Sequence, residues 1–336
     1  MTESGRASIR AAVAPFEAPS LPLALYQVAT SICLYVVTVG LMYWSLSVSY
    51  ALTLLLAIPA TALLTRMFIV QHDCGHGSFF ASKLWNDRLG AICGVLTLVP
   101  YANWKRQHAQ HHANWNNLDR RESGADIYSG CLTVAEYRAL SARGRFFYRL
   151  VRHPLIAHVI IPPLVFLALY RTPFDTPKDW VRERRSVWTT NLAIVALWGA
   201  LAAIFGITAV LMVQLPIVVL SSITGIWLFS VQHRFEDALW MRRGDWNFVD
   251  AALKGSSYLS VPRAIHWLTG NIGYHHIHHL SPRVANYHLA ACHHSDAALR
   301  TATPLTLGRA FRAGGLALWD ESRNTLIRFR DVTSPT

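Results

Sequence analysis

Charge is scarce in this chain: Asp, Glu, Lys and Arg make up 15% of its 336 residues, against about 25% in a soluble domain. With 52% of residues hydrophobic, that shortage argues against an ordinary soluble fold and for burial in a bilayer. Cysteine is equally thin. The five cysteines form no C-x-x-C pair and are odd in number, which speaks against a disulfide framework and for reduced thiols. A closed structural zinc site usually needs about four ligands, cysteines among them, so that class recedes too. There is no H-E-x-x-H, the zinc-protease signature. Nor is there a Glu-x-x-His pair, which the soluble di-iron bundles require. Tandem repeats, heptads and low-complexity tracts are missing. The first twenty residues are polar and carry no cleavable signal pattern. The balance of 31 basic and 19 acidic residues gives a net charge of +12. No nucleic-acid-binding motif accompanies it, so the excess reads as cytoplasmic loops, anionic headgroup contact or an acidic protein partner.

What is present in quantity is apolar sequence in long runs. Residues 23–46 and 50–70 read as one helical hairpin, and 189–206 and 208–231 as a second. The second helix of each pair runs into a histidine, through Val70-Gln71-His72 and Val231-Gln232-His233. Residues 89–100 are too short to span and read as interfacial or re-entrant. Residues 154–170 contain Pro162-Pro163 and have basic residues on both flanks, Arg149 and Arg152 before and Arg171, Lys178 and Arg182 after. Both ends then belong in the cytoplasm. The expectation is a single domain over residues 1–336, all-α and integral to the membrane. It has four transmembrane helices in two hairpins, interfacial or re-entrant helices, and a helical cytoplasmic cap over residues 71–188 and 232–336. A six-span arrangement is the alternative. Trp104, Trp115, Trp180, Trp188, Trp240, Trp246 and Trp267 should lie near the bilayer contact, as a belt or as the lining of an apolar channel.

Histidines decide the chemistry. They cluster as His72-Asp-Cys-Gly-His76, His108-Ala-Gln-His111-His112 and His275-His-Ile-His278-His279, with His233 between the second and third clusters. Spacings of three and four put side chains on one helical face, so the members of each cluster can converge. His72, His76, His108, His111, His112, His233, His275, His278 and His279 are therefore candidate ligands. They are too many for one ion, and two ions with four or five each would leave positions for dioxygen or water. Imidazole suits iron, zinc, copper and nickel alike. His276 is out of phase with its neighbours and reads as an orienting or structural residue. The isolated His153, His158, His266, His288, His293 and His294 read as packed or solvated, and Cys74 as a small residue in a packed helix. Asp73, Asp119, Asp126, Glu236 and Asp237 lie close enough in sequence to orient imidazoles through their N–H groups, with surface ion pairing as the other reading.

The motifs resemble those of the membrane fatty acid desaturase family. They are His72-Asp-Cys-Gly-His76-Gly-Ser-Phe-Phe, His108-Ala-Gln-His111-His112, Gln232-His233-Arg-Phe-Glu236-Asp237 and Gly270-Asn-Ile-Gly-Tyr-His275-His-Ile-His278-His279-Leu-Ser-Pro. The likeness is nearest to bacterial acyl-lipid desaturases of the delta-12-like branch, including the cold-induced bacillar type. It implies two non-haem irons held by the nine histidines, dioxygen as co-substrate, and a cis double bond introduced into a membrane acyl chain. The animal acyl-CoA branch has an Asn four residues before the extra histidine, where this chain has Phe229, and the departure favours the acyl-lipid branch. No His-Pro-Gly-Gly haem motif is present, so electrons are expected from a separate ferredoxin- or flavodoxin-like protein. The basic residues Arg143, Arg145, Arg149, Arg152, Arg182, Arg184 and Arg185 offer it a dock. A phospholipid substrate, a bacterial plasma membrane and a cytoplasmic active site complete the expectation. A hydroxylase, ketolase or epoxygenase would use similar boxes with a different product. A metal transporter would need ionisable residues along its spans, and these spans have almost none.

Overall fold

The computed structural model describes residues 3–121 and 130–332, with side chains from Ser8 onward. Helix α1 (Glu3–Val13) precedes a hairpin of α2 (Leu21–Ser45) and α3 (Tyr50–His76), and then α4 (Lys83–Leu96) and α5 (Tyr101–Asn114). Short helices α6 (Val134–Ala139) and α7 (Ala142–Val151) lead through a π-helical turn at Ile156–Ile160 into α8 (Ile161–Leu167). The second hairpin is α9 (Val181–Phe205) and α10 (Ile207–His233). Five short helices follow: α11 (Phe248–Gly255), α12 (Arg263–Leu268), α13 (His275–Leu280), α14 (Asn286–Ser295) and α15 (Leu307–Ala313). Strands are minor. β1 (Leu132–Thr133), β4 (Leu318–Asp320) and β5 (Thr325–Ile327) form one sheet in the order β1-β4-β5, and β2 (Tyr258–Ser260) pairs in parallel with β3 (Pro304–Thr306).

Among the described residues, four helices, α2, α3, α9 and α10, are each long and apolar enough to cross a membrane. Each hairpin has an inner and an outer member. The apolar window of α3 is 61% buried and that of α10 33%, against 22% for α2 and 11% for α9. The inner two are the helices that end in box histidines. Both carry a proline, Pro59 and Pro216, which spanning helices tolerate because neighbours re-satisfy the freed carbonyl. Their ends are set by glycines at positive φ. Gly77 (φ +73) stops α3 directly after His76, and Gly206 (φ +83) makes the tight turn between α9 and α10.

Helix boundaries differ from the sequence expectation where charges continue a helix beyond its apolar run. α9 starts at Val181 rather than at 189. Its first turn is held by Glu183 against Arg106 at 3.3 Å and by Arg184 donating to the Thr176 carbonyl at 2.8 Å. α7 and the segment Ile156–Arg171 meet at a 55° bend, in the break that holds Pro154, so the stretch is not one straight helix. Arg66 is buried within α3. Its Nε donates to Ser31 Oγ at 3.1 Å, its Nη1 to the Trp267 carbonyl, and its guanidinium lies 4.1 Å from the Trp267 ring. The charge is thereby hydrogen-bonded and stacked on an indole inside the helix bundle rather than left facing lipid.

Candidate metal centre

Three helix ends and one short helix deliver the histidines. α3 brings His72 and His76, α5 brings His108, His111 and His112, α10 brings His233, and α13 brings His275, His278 and His279. Glutamines fix the inner helices beside the site. Gln71 accepts from Thr97 Oγ1 at 2.7 Å, and Gln232 Nε2 donates to the Ile272 carbonyl at 3.1 Å. The loop before α13 must pass close to α3. A Cβ at Gly270 (φ +53) would sit 2.9 Å from Ile69 Cγ2, which explains the glycine in that motif.

The nine side chains fall into two groups. Ring nitrogens of His72, His76, His108, His112 and His278 lie within 4.8 Å of one another, as do those of His111, His233 and His279. His275 joins the second set, its Nε2 lying 3.0 Å from that of His233. The groups are in contact, with the His112 and His279 rings stacked at 4.3 Å.

Hydrogen bonding does not account for this packing. His233 Nε2 is 3.0 Å from the Nε2 atoms of His111, His275 and His279. One nitrogen can donate one hydrogen or accept one. Moreover, His233 Nδ1 lies 2.6 Å from the Phe229 carbonyl, which places the proton on Nδ1 and leaves Nε2 a bare lone pair. His72 Nδ1 likewise faces Asp73 Oδ1 at 2.9 Å. His76 Nε2 is buried with no hydrogen-bond partner among the described residues. Imidazole nitrogens about 2.1 Å from one ion and about 90° apart would lie about 3.0 Å apart, so both groups fit a divalent cation. Burial, reinforced by neighbouring histidines, holds His108, His112, His275, His278 and His279 well below the usual imidazole range. They are neutral at physiological pH, the form that binds metal.

Among the described acidic residues expected to orient imidazoles, only Asp73 is in place. Its Oδ1 faces His72, while Oδ2 accepts from the Asn286 backbone N at 2.6 Å and side-chain Nδ2 at 2.8 Å. Glu236 and Asp237 are corrected: they point outward and pair with Arg309 at 3.9 and 3.1 Å, because α10 ends at His233 and the chain turns away. Asp119 is an exposed partner of Arg242 at 2.8 Å, and Asp126 lies outside the described residues. His276 faces away from both groups, its Nε2 3.0 Å from the Leu299 carbonyl and from His293 Nδ1. His158 bridges the Pro154 carbonyl and Ser230 Oγ, each at 3.1 Å. Cys74 is buried beside Val70, Phe79 and Cys93.

An apolar cavity of about 280 Å³ abuts the histidines, with His72, His108, His111 and His275 in its wall. The tryptophans do not line it as a set. Trp104 does, stacked on His108 at 4.6 Å. Trp115 and Trp240 belong instead to the core of the cap, with Trp115 4.4 Å from the His233 ring and donating to the Gly255 carbonyl at 3.1 Å. Sequence reasoning passed over this role of Trp115; its position four residues after His111 was the available signal. The basic residues are also partly committed. Arg145 donates to the Leu140 carbonyl at 3.0 Å and Arg149 to Tyr137 Oη at 2.5 Å.

A family model described as fatty acid desaturase matches residues 22–307. The chain belongs to the fatty acid desaturase family. It is 44% identical over 320 residues to a protein named fatty acid desaturase from Bacillus subtilis, covering 95% of this chain and 90% of that one. More distant is the sn-1 oleoyl-lipid 12-desaturase of Anabaena variabilis, 26% identical over 79% of this chain and 75% of the relative. The sn-1 acyl-lipid omega-3 desaturase (ferredoxin) of Synechocystis is 30% identical over 66% of this chain and 61% of the relative. The protein is thus an enzyme, an oxidoreductase of fatty acyl chains with a membrane-spanning helical fold and histidine clusters that could hold metal.

Proposed function

We propose that this desaturase acts on acyl chains of membrane phospholipids and uses dioxygen to insert a cis double bond at a non-haem di-iron centre. His72, His76, His108, His112 and His278 would hold one iron, and His111, His233, His275 and His279 the other. Bound iron would supply dioxygen activation, a chemistry strong enough to remove hydrogen from unactivated methylenes. The balance is two hydrogens from adjacent carbons, one dioxygen, two electrons and two protons, giving the alkene and two waters. The chain's own residues position and exclude. The cavity walls keep the acyl chain dry and aligned, which decides the carbons that react. His72 and His233 are oriented through Asp73 and the Phe229 carbonyl.

One observation carries the reading: two buried histidine groups, each able to hold a cation, open on a single apolar cavity. The two electrons would come from a separate ferredoxin- or flavodoxin-like carrier. Three relatives are named for ferredoxin, and the cap's arginines offer complementary charge. The whole chain would act as a single domain in the bacterial plasma membrane, its cap, over residues 71–188 and 232–336, facing the cytoplasm. The test is expression in a host lacking desaturases, followed by gas chromatography with mass spectrometry of the lipids. Products lighter by two hydrogens are expected. Products that gain oxygen would assign a hydroxylase or epoxygenase instead.

A further inference from the structure

We propose that Gly225 sets how far an acyl chain reaches past the histidine groups, and so which carbons they meet. This rests on the acyl-chain reading of the cavity. Along α10 the cavity wall is Ser221, Gly225, Ile226, Leu228, Phe229 and Gln232, and Ser221, Gly225, Phe229 and Gln232 share one helical stripe at spacings of four, four and three. Gly225 is eight residues from His233, about 12 Å along the helix axis.

The two ends of the cavity differ. At one, Leu169 and Phe174 are 41% and 56% exposed, and Gln107 Nε2 donates to Asp175 Oδ2 at 2.7 Å. At the other, Gly225 stands with Leu64, Val165 and Ile226, all apolar and buried in the bundle. An acyl chain entering with its ester at the polar, exposed end leaves its methyl end at Gly225.

Nothing in the backbone or the packing requires glycine there. Its φ is not positive, and an added Cβ would meet no atom within 4 Å. Gly75, Gly90 and Gly94 contrast with it, since a Cβ there would lie 2.9, 2.3 and 2.6 Å from a neighbour. Glycine inside a helix is less stable than alanine, so what position 225 provides is room. Gly199 on α9 is equally open but lies outside the cavity wall and serves as the control.

The experiment compares the full-length wild type with Gly225→Leu, Gly225→Ala and Gly199→Leu in a desaturase-free host. Each is supplied with saturated acyl chains of graded length, and products are resolved by chain length and double-bond position. The Leu variant should place the bond closer to the methyl end or prefer shorter chains, the long-to-short product ratio falling on the order of tenfold per excluded methylene. Gly225→Ala should shift less, and Gly199→Leu should match the wild type. In parallel, thermal stabilisation of the purified proteins by saturated fatty acids should stop rising at a shorter chain length in Gly225→Leu. Wild-type product and binding profiles in the Leu variant overturn the proposal. So does a Leu variant inactive on every chain length whose binding profile stays wild type. Absence of any double bond from the wild type would overturn the acyl-chain reading itself.

Discussion

The group of five histidines leans on a carboxylate, whereas the group of four leans on backbone and indole. Asp73, 1% exposed, joins His72 to the start of α14 through Asn286. His233 is held by the carbonyl of its own helix and packed by Trp115. The same ligand type is thus set in two electrostatic environments. A carboxylate raises the basicity of the imidazole it orients more than a neutral carbonyl does. The two sites should therefore differ in affinity although their donors are alike, and a change at one should leave the other as an unaltered reference.

The largest effect is expected from ligand removal, one from each group. His278→Ala and His111→Ala should each lower product formation at least about 100-fold while the protein stays inserted in the membrane. Full activity in either variant would break the assignment. Next comes Asp73→Asn, which keeps the shape but removes the charge and one acceptor. Chelator titration should strip the first ion at roughly 10–100-fold lower chelator concentration and leave the second unchanged; equal weakening of both would erase the contrast between the groups. Trp115→Phe leaves the buried Gly255 carbonyl without its donor, a cost of about 1–3 kcal/mol. Thermal unfolding should register it, with metal loss confined to the group of four. Smallest is Asp237→Asn, which removes a surface partner of Arg309 worth about 0–1 kcal/mol. Its metal content and activity should equal the wild type's, and a marked loss would return Asp237 to the site.

Much of this was legible because it depends on spacing. Helical periodicity brought the histidines of each box together, and the two inner helices were visible as apolar runs ending in His72 and His233. The partition into five and four was not legible. His111 and His112 are adjacent yet serve different groups, since consecutive helical residues point about 100° apart. The support of the site was read correctly at Asp73 and incorrectly at Glu236 and Asp237. Proximity in sequence means proximity in space only while the helix continues, and α10 stops at His233. α1, which packs Ile9 and Val13 against the cap core, lacked a long apolar run to announce it. An apolar channel was expected, but its lining was not legible: the walls come from α3, α5, α8, α10 and α13, and only tertiary packing assembles them.

The central claim is that nine histidines form two cation sites in one chain. It is tested most directly by counting iron per polypeptide in protein purified from iron-replete cells, by elemental analysis with quantitative amino-acid analysis. About two irons are expected for the wild type and about one for His279→Ala. A wild type that saturates at one iron, or a His279→Ala variant that keeps both, would contradict it.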